Sequence, residues 1–298
     1  MSAPLAVSLD MLADGFPLPA LHQGADKETR GRVLVVGGGA QVPGAPILTG
    51  VAALRAGAGK LQLAATAGSA LAMGLAVPEA AVVSVAADAD GEMAAEAAKD
   101  LEAYVGRAHS VVVGPGMADE AAAAELACRL MRQETQAAFV IDAAAMTGLD
   151  LHAKATRTLG GRLVLTPHAG EMASLTGWSK QAVANAPLDA ARLVAQALHA
   201  IVVMKGEETF IVSPDGRAWS HAGGVIGLAT SGSGDVLAGV IAGLLARGAS
   251  PLAAAVWGVC LHGGAGARLS QRIGPLGFLA RELPAEIPGL LADAGANV

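Results

Sequence analysis

Asp235 closes a turn of small residues, Ala229-Thr230-Ser231-Gly232-Ser233-Gly234-Asp235, and heads an apolar run, Val236-Leu237-Ala238-Gly239-Val240-Ile241. Such a turn exposes backbone N–H groups at the positive end of a helix dipole, and the missing side chains at Gly232 and Gly234 let an anion come close. Ser231, Gly232, Ser233 and Gly234 therefore read as a cradle for a phosphate in transfer. A carboxylate beside that cradle accepts the proton of an attacking hydroxyl, so Asp235 is the candidate base of a phosphoryl transfer and the only carboxylate expected beside the phosphate. An acid in a first helical turn is also what the dipole favours with no chemistry attached, and the tetrad alone leaves that reading equally open.

Other nucleotide motifs fail on spacing. Gly59-Lys60 is followed by Leu61 and preceded by Leu54 where a phosphate-binding loop needs Gly, and Gly37-Gly38-Gly39 meets Val42 where a dinucleotide fingerprint needs its third Gly. The triple glycine still lets backbone approach a ligand at a strand end. Three more clusters fall at expected strand ends: Gly114-Pro115-Gly116, Thr166-Pro167-His168-Ala169-Gly170-Glu171, and Lys205-Gly206. Each has a plain alternative, as a turn, a loop histidine or a solvated lysine, but loops at the carboxyl ends of parallel strands share one rim, so the clusters should converge.

The elements that would bring them there alternate along the chain. Strands are expected at Val33–Val36, Leu61–Ala64, Val82–Val85, Val111–Val113, Phe139–Asp142, Leu163–Leu165 and Ile201–Met204, separated by Ala-rich helical stretches. That rhythm predicts an α/β fold with an open, mostly parallel sheet and helices on both faces. Thr209–Val212, a turn at Pro214–Gly216 and Arg217–His221 then read as a C-terminal antiparallel hairpin. Ser231–Gly234 leads into an apolar helix of about eleven residues, Pro251 starts another, and Pro284 to Pro288 is expected to break the tail.

The 298 residues are 53% hydrophobic and only 15% charged, with aromatics at 3%, so the core is built from small aliphatic side chains. One domain spanning 1–298, with its core at about 30–295, is the expectation. A net charge of −6 argues against nucleic acid as a partner. Val236 to Gly266 is broken by Arg247, Pro251 and His262, so it predicts a buried helical pair rather than a membrane span. The N-terminus has no basic segment followed by an apolar one, which predicts a cytoplasmic location. Cys128 and Cys260 form no CxxC and the histidines show no HExxH, so neither a disulfide framework nor a protein-held metal is expected.

Six segments in order, GRVLVVGGG, GAPILTGVAALRAGAGK, VVVGPGM, LTPHAGEM, VVMKGEET and ATSGSGDVLAGVIAGLLARG, resemble the ADP-dependent (S)-NAD(P)H-hydrate dehydratases, repair kinases of the ribokinase-like superfamily. The resemblance covers about Arg32 to Ser270. The PHxGE and KGxxT elements set that family apart from sugar and vitamin kinases with the same GxGD signature. It implies a ribokinase-like fold and a reaction in which ADP phosphorylates the hydroxyl of hydrated NADH or NADPH (NADHX or NADPHX), phosphate leaves, and NAD(P)H, AMP and phosphate result. It further implies that Ala45, Gly116, His168 and Asp235 contact the hydrated dinucleotide, and that Lys205, Gly206, Glu207, Glu208 and Thr209 with Gly234 hold the AMP portion. Magnesium as companion of the phosphates, a homotetramer, and a separate epimerase as functional partner are implied as well. The chain has Ala169 where the family commonly has proline, and Lys60-Leu61 where a hydrophobic pair often follows GAG. The roughly 30 residues before Arg32 are too few for the N-terminal epimerase domain some members carry. Two other readings use the same glycines: a kinase of a thiazole or pyrimidine vitamin precursor, which would stop at the phosphorylated alcohol, and a nucleotide sensor without catalysis.

Overall fold

Runs of Val, Leu and Ile are continuous in the central strands because those strands are covered on both faces. The computed structural model describes residues 3–20, 24–149 and 154–296. Its strands are β1 (Leu5–Ala6), β2 (Arg32–Val36), β3 (Lys60–Thr66), β4 (Ala80–Val85), β5 (Ser110–Val113), β6 (Ala138–Ile141), β7 (Leu163–Leu165), β8 (Ile201–Met204), β9 (Thr209–Val212) and β10 (Ala218–His221). They form one ten-stranded sheet in the order β1-β10-β9-β8-β7-β6-β5-β2-β3-β4. β9 runs against both of its neighbours, and every other pairing is parallel.

The longer helices are α1 (Ala45–Arg55), α2 (Ala67–Ala76), α3 (Glu120–Met131), α4 (Ala169–Thr176), α5 (Pro187–Leu198), α6 (Ser233–Ala246), α7 (Pro251–Arg272) and α8 (Leu283–Asp293). Alternate residues of each strand feed opposite cores. Val33 and Val35 of β2 and Val112 of β5 pack with α1, α6, α7 and α8. Leu34, Val36, Val111 and Val113 face the other core, with α3, α4 and α5.

α6 lies unusually close to α1. A Cβ on Gly239 would stand 2.1 Å from the Thr49 carbonyl oxygen, and one on Gly243 would stand 2.4 Å from that of Ala53. Only glycine at these two positions lets the helices approach so closely, and the contact fixes where the head of α6 sits relative to the sheet.

Three features depart from the sequence expectation. The two-residue β1 joins β10 and forms the sheet edge, a pairing too short to leave a periodic signal. Arg217 falls outside the hairpin strand, which starts at Ala218. Pro284 to Pro288 does not break the tail, because α8 runs through both prolines. Pro284 sits in the first turn, where its missing N–H needs no partner, and burial of Leu283, Ile287, Leu290 and Leu291 holds the helix across Pro288.

Candidate active site

The expected rim exists, and the carboxyl ends of β6, β7 and β8 deliver Asp142, Thr166 and Lys205 to it. The Lys205 N–H donates to the Pro167 carbonyl at 2.8 Å, tying the ends of β7 and β8 together. Asp142 is 3% exposed and accepts a hydrogen bond from Thr166 Oγ1 at 2.6 Å. Lys205 Nζ lies 3.3 Å from Asp142 Oδ1 and 3.7 Å from Glu171 Oε2. The next residue, Ala143, holds φ 49° and ψ −134°, a conformation costly for a residue with a side chain. Strain of this kind persists where surrounding structure enforces it, and here it turns the chain away directly after the buried carboxylate.

The Gly/Ser turn enters from the other side. Gly232, at φ 87°, caps α6, whose 14 residues begin at Ser233 rather than after Gly234. A side chain on Gly232 would meet Leu48 Cδ1 at 2.5 Å, and one on Gly234 would stand 3.4 Å from Lys205 Nζ. The Ser233 N–H of the first turn donates to the Thr230 carbonyl at 3.2 Å, and the ammonium of Lys205 stands beside Gly234. Asp235 lies in that same turn.

Asp235 is not the only carboxylate at the turn, and this corrects the sequence expectation. Asp142 and Glu171 face it across the site. Burial, reinforced by the negative charge of Asp142 and opposed by Lys205, pushes the Asp235 carboxyl up to about 7. For Lys205 burial acts to remove the proton, but Asp142 and Glu171 outweigh it and hold its pKa above the ordinary lysine value.

His168 has a structural role that its sequence context signals only in retrospect. Its Nδ1 accepts from the N–H groups of Gly170 at 3.0 Å and Glu171 at 3.1 Å, and a Glu171 carboxylate oxygen accepts from the His168 N–H at 2.7 Å. This is a reciprocal capping box at the head of α4, with imidazole in the place usually taken by a hydroxyl. The H-x-x-E spacing carries the signal. The ring itself is 59% exposed and lines the site.

A cavity of about 940 Å³ opens here, lined by His168, Lys205, Gly206, Glu207, Thr209, Gly232, Ser233, Gly234 and Asp235 among the expected residues. Asp142, Glu171, His221 and His262 join them, and Val225, Ile226, Leu228 and Val259 supply an apolar wall. Glu208 and Ser231 do not line it. Ala45 and Gly116 form a neighbouring patch, since a Cβ on Gly116 would stand 3.0 Å from that of Ala45. There Gly38 and Gly39 donate to the carbonyls of Pro115 and Gly116 at 2.8 and 3.0 Å, so the triple glycine stacks on Gly-Pro-Gly.

His262 was legible only as an interruption of an apolar run. Its Nε2 lies 2.9 Å from Ser233 Oγ and 3.0 Å from the Ser233 carbonyl oxygen, and burial lowers its pKa to about 4. Among the described residues no group of three or more His, Cys, Asp or Glu is arranged to hold a metal ion, and no helix is long and apolar enough to cross a membrane.

A family profile described as NAD(P)H-hydrate dehydratase matches residues 33–289, which include both sides of this cavity. The chain is 50% identical over 275 residues to the ADP-dependent (S)-NAD(P)H-hydrate dehydratase of Xanthomonas campestris pv. campestris, covering 92% of each. The chain belongs to the NAD(P)H-hydrate dehydratase family. A crystal structure of the ADP/ATP-dependent NAD(P)H-hydrate dehydratase of Bacillus subtilis, co-crystallised with ATP/Mg²⁺, superposes with a TM-score of 0.83 at 25% identity, covering 99% of both chains. The architecture is the ribokinase-like α/β fold expected from the motifs. The bifunctional NAD(P)H-hydrate repair enzyme of Moorella thermoacetica is 34% identical over 281 residues, which are 94% of this chain but 53% of that protein. The matched span runs from β2 and the triple glycine that follows it, past the turn at the head of α6, into α8.

Proposed function

We propose that this enzyme dehydrates the S form of hydrated NADH or NADPH with ADP as phosphoryl donor, giving NAD(P)H, AMP and phosphate. The observation that carries the reading is Asp235, a carboxylate with its pKa pushed up to about 7 in the first turn of α6, beside Gly234 and the Lys205 ammonium. A base tuned near neutrality and a cradle for phosphate belong to hydroxyl phosphorylation.

In the proposed sequence Asp235 takes the proton of the hydroxyl on the hydrated ring while that oxygen attacks the β-phosphorus of ADP, and AMP departs. The first-turn N–H groups and Lys205 hold the equatorial oxygens and offset the charge that builds on them. A hydroxide would be a poor leaving group and a phosphate is a good one. The ring nitrogen's lone pair then expels phosphate to leave an iminium ion, and loss of a proton to water from the ring carbon next to the one that bore the phosphate restores the double bond. Ala45, Gly116 and His168 are assigned to the hydrated dinucleotide, and Lys205 to Thr209 with Gly234 to the AMP portion.

Magnesium fits this donor set as a companion of the nucleotide. It takes one or two carboxylates plus phosphate oxygens and water rather than an all-protein cage, and Asp142 and Glu171, both beside Lys205, are the carboxylates that would hold it. When bound it neutralises phosphate charge. We also assign the chain to one catalytic domain, the cytoplasm and a homotetramer, with the epimerase step supplied by a separate protein.

Product analysis tests the reading: incubation with ADP, Mg²⁺ and hydrated NADH should yield AMP and inorganic phosphate in equal amounts, matched by NADH. Accumulation of a phosphorylated organic product without NADH would instead indicate an alcohol kinase.

A further inference from the structure

Ser233 opens α6 and is 5% exposed, yet it is among the residues that line the cavity, as is His262. Its hydrogen-bonding partner comes from α7, since His262 Nε2 lies within reach of both its hydroxyl and its carbonyl. A carbonyl only accepts, so a contact of 3.0 Å requires the hydrogen of His262 to be on Nε2. That hydrogen is then forked between the two oxygens of Ser233, and the hydroxyl serves His262 as an acceptor. The hydroxyl's own hydrogen stays uncommitted to the histidine. Burial keeps the ring neutral at physiological pH, so this polarity is not reversed by ordinary titration.

We propose that His262 is a positioning residue for phosphoryl transfer: it fixes the Ser233 hydroxyl as a donor into the cavity, aimed at the transferring phosphoryl group. The inference rests on the phosphoryl-transfer reading above. The turn thereby gains a side-chain donor alongside its backbone N–H groups, set before the reaction starts and needing no reorganisation during it. Gly263, next to His262, lets α7 pass close to this wall of the cavity, because a Cβ there would stand 2.7 Å from His221 Nε2 and 3.3 Å from the Gly223 carbonyl oxygen.

The test compares His262→Gln, whose amide N–H replaces that of Nε2, with His262→Leu, which fills the space without a donor. Turnover and ADP affinity by calorimetry are measured for both, and for each in a Ser233→Ala background. His262→Leu should lower kcat roughly tenfold or more while the ADP Kd moves by less than about threefold, and His262→Gln should recover most of the loss. In the Ser233→Ala background the His262→Leu change should have less than about a twofold effect, since the group it positions is gone. An active wild type whose His262→Leu variant keeps its kcat, or whose Gln and Leu variants fall equally, overturns this proposal alone. A wild type without turnover overturns the phosphoryl-transfer reading and this proposal with it. If His262→Leu does not fold, Ser233→Ala decides: a wild-type kcat there also overturns the proposal.

Discussion

Lys205 Nζ lies 3.3 Å from Asp142 Oδ1, a pair brought together from strand ends 63 residues apart in the chain. The contact places a buried anion and a retained cation beside the helix turn that carries Asp235. Removing one partner of such a pair leaves the other charged and poorly solvated. The Asp142–Lys205 pair therefore governs both the placement of the ammonium and the acidity of the proposed base.

Asp235→Asn should lower turnover by roughly 10²–10⁴ with ADP affinity nearly unchanged. It should also stabilise the fold. The folded-state pKa of about 7 lies above the ordinary 3.8, so the stability tied to this proton is present below about pH 4 and is lost as pH rises through 7. Asparagine has no such proton to lose. Thermal melts at pH 5 and pH 8 check this, with the variant's advantage larger at pH 8 and amounting to as much as a few kcal/mol.

kcat/KM should rise with pH through about 7 and then level, because Asp235 must be ionised to act while Lys205 keeps its proton. Asp142→Asn removes a negative charge that raises Asp235, so the acid limb should move to lower pH. Its kcat should fall too, as Lys205 loses its nearest partner. An unmoved limb would separate Asp142 from the acidity of Asp235.

His168→Ala should cost about 1 kcal/mol of stability through the lost cap of α4, and His168→Asn should restore it. Melts read the cap. KM for the hydrated dinucleotide reads the proposed contact, which asparagine should not restore.

The central strands were legible because their apolar runs are buried on both faces, and the rim followed from where they end. The Ser231–Gly234 turn was legible because its glycines and its apolar sequel are contiguous. What escaped was pairing across distance. Asp142 was visible only as the last residue of an expected strand, and nothing local shows that Lys205 and Glu171 will meet it. His262 and Ser233 are 29 residues apart on different helices, joined by the packing of α6 on α7. β1 escaped because two residues carry no period, and α8 because tertiary burial outweighs the proline penalty.

Gly239→Ala should destabilise the protein by about 3 kcal/mol or more, since its Cβ would press into the Thr49 carbonyl at 2.1 Å and force α6 from α1. Denaturant melts check this. Any residual folded protein should show weakened ADP binding, because the head of α6 carries the phosphate cradle.

The most direct measurement is absorbance at 340 nm on mixing the protein with Mg²⁺, ADP and hydrated NADH, with Asp235→Asn and a no-nucleotide mixture alongside. A rise that needs ADP and is nearly abolished in the variant is expected. No rise from folded protein that binds ADP, or an equal rise from Asp235→Asn, would contradict it.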